Sequence, residues 1–272
     1  GGRAGLMSTT RMPTIVLGGT GYVAGELLRL IAGHPGLELV GVLSDSQPGQ
    51  SVAAAFSHLA PVYPQARFSS QAEIEALVAQ HPRSAIFSAA PQGASAALID
   101  RLLNVAELAG TKPSVVDISA DFRLENPETY REWYAHEHQA LELQRDAVYG
   151  LTEFNRERIK KARLVACPGC YPTAALLPLL PLIEQKLIDP DEIIIDAKSG
   201  VSGAGRGEKQ ANLHTEVSEG IHAYGVAKHR HTPEIEQELT KSAGKPVQIT
   251  FTPHLMPMNR GMLDTIYVRA LN

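Results

Sequence analysis

Cys167 and Cys170 are the only thiols of the chain, and they stand in a C-x-x-C frame within LVACPGCYPTAALLPLL, residues 164–180. Three chemistries use such a frame. A structural zinc site takes four ligands, and with no second C-x-x-C the histidines would have to complete it. A redox disulfide exploits the low thiol pKa of a C-x-x-C at a helix N-terminus, but it gives no work to a glycine-rich turn found near the start of the chain. In the third reading Cys170 acts alone. It lies just ahead of a helix expected to open at Pro172 or Thr173, where the dipole and free N–H groups favour a thiolate. Cys167 is then a small apolar residue at a strand end. A thiolate of this kind attacks an activated acyl group, and the thioester formed is electrophilic enough to be reduced to an aldehyde by a nicotinamide dinucleotide.

Other residues fit that third reading. KHRHTPEIEQEL sets His229 and His231 two apart, flanked by Lys228, Arg230 and Glu234, in an extended stretch ahead of a helix expected at Pro233. One imidazole would serve as acid/base, holding the thiolate as an ion pair and later protonating the developing alkoxide. A solvated surface pair is the alternative. KSGVSGAGRGEKQ carries Lys198, Arg206 and Lys209 in a Gly/Ser loop, either a flexible surface segment or a contact for an anion or a nicotinamide. DISADFRL places Arg123 just past a strand end, where it is a candidate clamp for phosphate or carboxylate.

These side chains need a frame, and the hydrophobic pattern supplies one. PTIVLGGTGYVAGELLRLIAGHP reads as strand, glycine-rich turn and amphipathic helix. GLELVGVLSDS, RSAIFSAAP and PSVVDISAD add further strands, with the helical GASAALIDRLLNVAELAG between the last two. Alternation of this kind over about 165 residues implies a doubly wound parallel sheet, a Rossmann-type α/β domain. Gly18, Gly21 and the pair Ala24-Gly25 would let the backbone approach a pyrophosphate at the helix start. Where the second strand ends, Asp45 would accept from the 2′-hydroxyl of NAD, whereas Ser44 and Ser46 could donate to the 2′-phosphate of NADP. After Cys170 the helix-like PTAALLPLLPLIEQKLI holds Pro178 and Pro181, which predict a kink or break. DEIIIDAKSG, PVQITFTPHLMPM and GMLDTIYVRAL read as strands of a second sheet, hence an α+β substrate and dimerisation domain. The expected division is 13–168 and 169–272.

The 272 residues carry a formal charge of −4 with dispersed basic residues, which argues against nucleic acid as the main partner and for a small molecule. No signal peptide and no apolar run of the ~18 residues a membrane span needs are visible, so a soluble, cytoplasmic protein is expected. The opening GGRAGLMSTTRM reads as a tag remnant with Met7 or Met12 as the native start.

GGTGYVAGELLRLI, DISADFRL, YGLTE, ACPGCYPTAA, SGVSGAGR, YGVAKHRHTPEI and FTPHLMPMNRGML resemble, in order and spacing, the N-acetyl-γ-glutamyl-phosphate reductase family, relatives of aspartate-semialdehyde dehydrogenase. The likeness runs from Pro13 to Asn272, and members of the family continue for several tens of residues beyond that point. It implies Cys170 as the thioester-forming nucleophile, His229 as acid/base, and His231 and Glu234 as orienting groups. It also implies Gly18, Thr20, Gly21, Tyr22 and Val23 as the NADP(H)-binding turn, with Ser202, Gly203 and Ala204 on the nicotinamide side. Ser44 and Ser46 would then meet the 2′-phosphate, and Arg123, Lys198 and Arg206 the substrate. Acyl phosphate and phosphate are the implied ligands, no metal is implied, and a homodimer or homotetramer is expected. A reductase for the longer aminoadipyl phosphate of the lysine pathway and a non-catalytic nucleotide-binding relative are the alternatives.

Overall fold

The computed structural model describes residues 11–271, so the tag expectation for residues 1–10, Met7 included, lies outside the described residues. Met12 opens the first strand. Two compact units are formed, one from the residues up to Ser119 with Ala162–Val165, the other from Ala120–Lys161 with the chain from Ala166 on. The sequence reading put 120–161 in the first half. In the structure this stretch packs within the second unit, where Tyr130, Tyr134, Leu124 and Ala120 form a small core of their own.

The first unit is built on β1 (Met12–Leu17), β2 (Leu37–Val42), β3 (Arg83–Ser88) and β4 (Lys112–Asp117), paired in parallel in the order β2-β1-β3-β4. The sheet continues through β6 (Leu164–Ala166) to the two-residue β5 (Val148–Tyr149) at its edge. Helices α1 (Tyr22–Ala32), α2 (Val52–Ala55), α3 (Gln71–Gln80) and α4 (Ser95–Ala109) accompany it. Ala24, Leu28 and Ile31 recur at helical spacing and bury one face of α1 beside Val16 and Val42. α3 opens on a full capping box between Ser70 and Glu73, and α4 ends at Gly110 in the left-handed conformation. This is the expected Rossmann-type parallel α/β frame. The chain passes from β1 to β2 on one side and to β3 on the other, which opens a crevice at the carboxyl ends of β1 and β3. A buried chain of hydrogen bonds ties the end of β3 to the start of α4 and the end of β4: Ser88 Oγ to Ser95 Oγ (2.7 Å), Ser95 Oγ to Asp117 Oδ1 (2.7 Å) and Ser119 Oγ to Asp117 Oδ2 (2.7 Å).

The second unit holds a mixed four-stranded sheet in the order β10-β7-β9-β8, with β7 (Ile188–Ser199), β8 (His222–Ala223), β9 (Thr250–Leu255) and β10 (Met262–Ala270). β7 runs antiparallel to β10 and parallel to β9. α5 (Pro127–Tyr134), α6 (Leu141–Asp146) and α7 (Thr152–Ile159) precede it in the chain, and α8 (Cys170–Glu184), α9 (His214–Val217) and α10 (Thr232–Ala243) complete it. Ile193, Ile195 and Ala197 of β7 face a core shared with Leu176, Leu179 and Leu180 of α8 and Ile235 and Leu239 of α10. Among the described residues no helix is long and apolar enough to cross a membrane.

Three local expectations are corrected. α8 begins at Cys170 rather than at Pro172 or Thr173, because Gly169 takes the extended N-cap conformation and its carbonyl already receives the Thr173 N–H (2.9 Å) and Oγ1 (2.8 Å). α8 also runs through Pro178 and Pro181 without a break. Each proline leaves one carbonyl four residues back without its helical bond, yet Leu176, Leu179, Leu180 and Ile183 are buried and hold the helix in register. α10 starts at Thr232, one residue before Pro233, with His231 as its N-cap.

Gly18 leaves β1 at φ +74°, and a Cβ there would lie 2.5 Å from the Ala89 carbonyl carbon and oxygen. Both the conformation and the contact demand glycine. Gly18→Ala is expected to cost about 1–3 kcal/mol, measured as a fall in the urea midpoint at constant slope; an unchanged midpoint would contradict the strained turn.

Candidate active site

Cys170 is the first residue of α8 and its side chain is exposed, while Cys167 is half-buried; neither is in a disulfide. The turn between them is fixed by two buried charges. Arg123 Nε donates to the Cys167 carbonyl (2.8 Å), and Glu234, 1% exposed, accepts the Gly169 N–H on Oε1 (2.8 Å). The same Oε1 accepts from Tyr149 Oη (2.8 Å), and Oε2 faces Arg123 Nη1 at 3.4 Å. Carbonyl and amide on either side of Pro168 are thereby held by one ion pair, and Cys170 follows directly. Glu234 reaches the turn from the first turn of α10, three residues after the N-cap His231.

The histidines pack on the same turn. The His231 ring lies so close to Gly169 that a Cβ there would stand 2.6 Å from Nε2. His229 stacks edge-on to His231 (4.8 Å between centroids), Tyr171 (5.5 Å), Tyr224 (5.5 Å) and Phe251 (5.3 Å). Tyr171 and Tyr224 share a hydrogen bond between their hydroxyls at 3.0 Å. The sequence reading missed Tyr149, Tyr171, Tyr224 and Phe251. All four stand inside quoted motifs, but nothing in their type or spacing marks them as neighbours of the histidines and the turn.

The electrostatics correct the expected thiolate–imidazolium pair. Desolvation pushes His229 down to about 4 and His231 to about 3; His231 and Arg230 add to it at His229 against the charge of Glu234, and Arg123 and Arg230 add to it at His231. Both rings are therefore neutral at pH 7. His229 Nδ1 accepts the His231 backbone N–H (3.2 Å), which places the proton of the neutral ring on Nε2 and makes that atom a donor. His231 Nδ1 is buried without a hydrogen-bond partner. Although Cys170 is exposed, the protein atoms crowded around it push the thiol up, against the N–H groups of Tyr171 and Cys170 and the charge of Arg123. The dipole of α8 is outweighed, and Cys170 rests as a thiol.

The remaining candidates are distributed as follows. Arg123 is buried and engaged with Glu234 and the Cys167 carbonyl, so it builds the turn. Lys198 alternates with the core-facing Ala197 onto the other face of β7, where Nζ bonds Asp196 Oδ2 at 2.5 Å; the structure does not bring it to Cys170. Ser202, Gly203 and Ala204 form a 3₁₀ turn in the second unit, pinned by Val201 N–H to the Met258 carbonyl and Ser202 N–H to that of Asn259, with Arg206 exposed just beyond.

In the first unit, Gly21 is the N-cap of α1, with no side-chain cap and no acidic residue in the first turn; nothing lies within 4 Å of a Cβ built on it. Thr20 precedes it, and Tyr22 and Val23 are exposed at the helix start. Free N–H groups facing open space suit a pyrophosphate. Beside this turn a cavity of about 270 Å³ is lined by Gly18, Leu43, Asp45, Pro91, Ala94 and Leu98, among others. These residues fit a dinucleotide. Ser44, offered as a phosphate ligand, is buried instead, with Oγ accepting the Gln47 N–H (3.2 Å) and sharing a bond with Ser46 Oγ (3.4 Å).

Comparison with known proteins accounts for both units. The family described as "Semialdehyde dehydrogenase, NAD binding domain" matches residues 14–162, and "Semialdehyde dehydrogenase, dimerisation domain" matches residues 170–272. The N-acetyl-gamma-glutamyl-phosphate reductase of Rhodospirillum rubrum is 53% identical over 96% of this chain and 72% of its own length. That of Afipia carboxidovorans is 50% identical over 94% and 70%, and the probable chloroplastic one of Arabidopsis thaliana 50% over 93% and 60%. Among solved structures, aspartate semialdehyde dehydrogenase with NADP from Candida albicans superposes with TM-score 0.64 at 16% identity, covering 97% of this chain and 72% of that one. Aspartate semialdehyde dehydrogenase II from Vibrio cholerae gives 0.63 at 16% identity, covering 96% and 75%. At that identity the structures establish the fold, while the sequence relatives and the matched domains establish that the chain belongs to the N-acetyl-γ-glutamyl-phosphate reductase family of semialdehyde dehydrogenases.

Proposed function

We propose that this chain reduces N-acetyl-γ-glutamyl phosphate to N-acetylglutamate 5-semialdehyde, releasing phosphate, by way of a thioester on Cys170. The observation that carries the reading is an exposed thiol at the first position of a helix whose N-cap amide is held by a buried carboxylate. The relatives at about half identity bear the glutamyl name, which favours that acyl chain over the longer aminoadipyl one.

The residues divide the work as follows. Cys170 Sγ attacks the γ-carbonyl carbon; the S–C bond forms, the bond from carbon to the phosphate oxygen breaks, and phosphate leaves. The thiol proton passes to His231, whose ring lies against Gly169 and whose Nδ1 has no other partner. His229, fixed as an Nε2–H donor, stabilises the oxyanion by a hydrogen bond, and the proton held on His231 returns to the sulfur as the C–S bond finally breaks. The bound dinucleotide supplies the hydride that takes the thioester carbon to the aldehyde level. Glu234, Arg123 and Tyr149 act through the turn as positioning residues. NADP is the dinucleotide that the family resemblance implies, and the ribose-facing residues decide between the two forms. A homo-oligomer is supported by the dimerisation domain matched over 170–272 and by Leu263, Tyr267 and Ile194, exposed on the outer face of β10 and β7.

In the reverse assay, N-acetylglutamate 5-semialdehyde, phosphate and oxidised dinucleotide should give a phosphate-dependent rise in reduced dinucleotide absorbance. Cys170→Ser should abolish it and Cys167→Ala should leave most of it; full turnover by Cys170→Ser would refute the thioester. On the Cys167→Ala background, alkylation of Cys170 by iodoacetamide should accelerate with rising pH through a midpoint above the ordinary value of 9.0. A plateau already reached at neutral pH would instead indicate a preformed ion pair. Glu234→Ala removes one partner of a buried pair and is expected to cost about 3–5 kcal/mol in urea unfolding, and a loss below about 1 kcal/mol would show that the clamp is not what holds the turn.

A further inference from the structure

The geometry points to Arg230 as the group that binds the α-carboxylate of the substrate, a carboxylate that the acyl phosphate and the aldehyde share. This rests on the reaction proposed above.

N-acetyl-γ-glutamyl phosphate carries two anionic groups, the phosphate on the reacting carbon and the α-carboxylate, which three carbons separate from it. Each needs a counterpart in the site. Two of the cations that the sequence offered for the task are spent: Arg123 is paired with Glu234 inside the turn, and Lys198 with Asp196 on the outer face of β7. Arg230 is not. It stands between the two histidines in the chain, it is exposed, and it forms no ion pair among the described residues.

An aromatic platform fixes Arg230 in place. Its Cζ lies 5.5 Å from the centroid of the Tyr134 ring, and Tyr134 is itself buried and stacked on Tyr130, with 5.0 Å between centroids and 19° between planes. Tyr130 Oη in turn donates to Oδ1 of the buried Asp121 (2.8 Å). A guanidinium laid on a ring keeps its N–H edge free for the paired oxygens of a carboxylate. Lys228, the other exposed cation of this stretch, has no such platform among the described residues. The two anionic groups are also separated. Phosphate must leave from beside the sulfur that displaces it, where the N–H groups of Cys170 and Tyr171 act. Arg230 acts instead on the two imidazoles, which leaves it for the more distant carboxylate.

The test is the reverse assay on the full chain with two aldehydes, N-acetylglutamate 5-semialdehyde and 4-acetamidobutanal, which differs from it only in lacking the α-carboxylate. The kcat, the KM of each aldehyde and the KM of phosphate are measured for the wild type, Arg230→Gln, Arg230→Lys and Lys228→Gln; both side chains are exposed, so no replacement disturbs the core. The wild type should prefer the carboxylate-bearing aldehyde. Arg230→Gln should cut that preference at least about tenfold through the aldehyde KM, Arg230→Lys should restore part of it, and Lys228→Gln should leave it in place. Equal losses on both aldehydes in Arg230→Gln, the mark of an effect through the histidines, or a rise confined to the KM of phosphate would overturn the carboxylate clamp while leaving the reaction standing. Turnover of neither aldehyde by the wild type would remove the reaction and the clamp with it.

Discussion

The carboxylate of Glu234 is the constraint on which the rest of the catalytic unit depends. It is almost fully buried, and each of its oxygens meets a partner that matters: the amide of Gly169 and the hydroxyl of Tyr149 on one, the guanidinium of Arg123 on the other. A charge in such a place is tolerated only when paired and hydrogen-bonded. That requirement joins α10 to the turn before α8 and to the loop carrying Arg123. Because Glu234 sits in the first turn of α10, the same contact brings the N-cap His231 against Gly169. The placement of Cys170, the histidines and the aromatic ring cluster around them follows from one ion pair.

This arrangement explains why the site stores neutral partners. A crowded turn and two desolvated rings hold Cys170 as a thiol and His229 and His231 as imidazoles. A thiol beside neutral histidines releases its proton when an acyl group arrives to consume the thiolate, which limits side reactions of an exposed sulfur.

Much of this was legible in the sequence. The parallel frame followed from strands of β-branched residues alternating with amphipathic helices, and the glycine turn from its place between the first strand and helix. Cys170, His229, His231 and Glu234 were singled out by type and spacing, and the structure gathers them on one turn. Other features were not readable because they depend on contacts distant in the chain. Arg123 looks like a free clamp until Glu234, 111 positions away, is seen beside it. Lys198 looks like a ligand until strand alternation turns it from the core. The pKa directions ran opposite to the helix-dipole argument, since desolvation is set by packing that no local pattern reports. Residues 120–161 carry helix signals that give no hint of which unit they join.

The central claim is that Cys170 becomes the acyl carrier. Mass spectrometry of the intact protein tests it most directly, after mixing with N-acetylglutamate 5-semialdehyde and oxidised dinucleotide in the absence of phosphate, so that the acyl group has no acceptor. The account predicts one N-acetylglutamyl group in thioester linkage, mapped to the peptide containing Cys170 and released when phosphate is added. Reduced dinucleotide formed with no adduct on the protein, or an adduct mapped to Cys167, would contradict it.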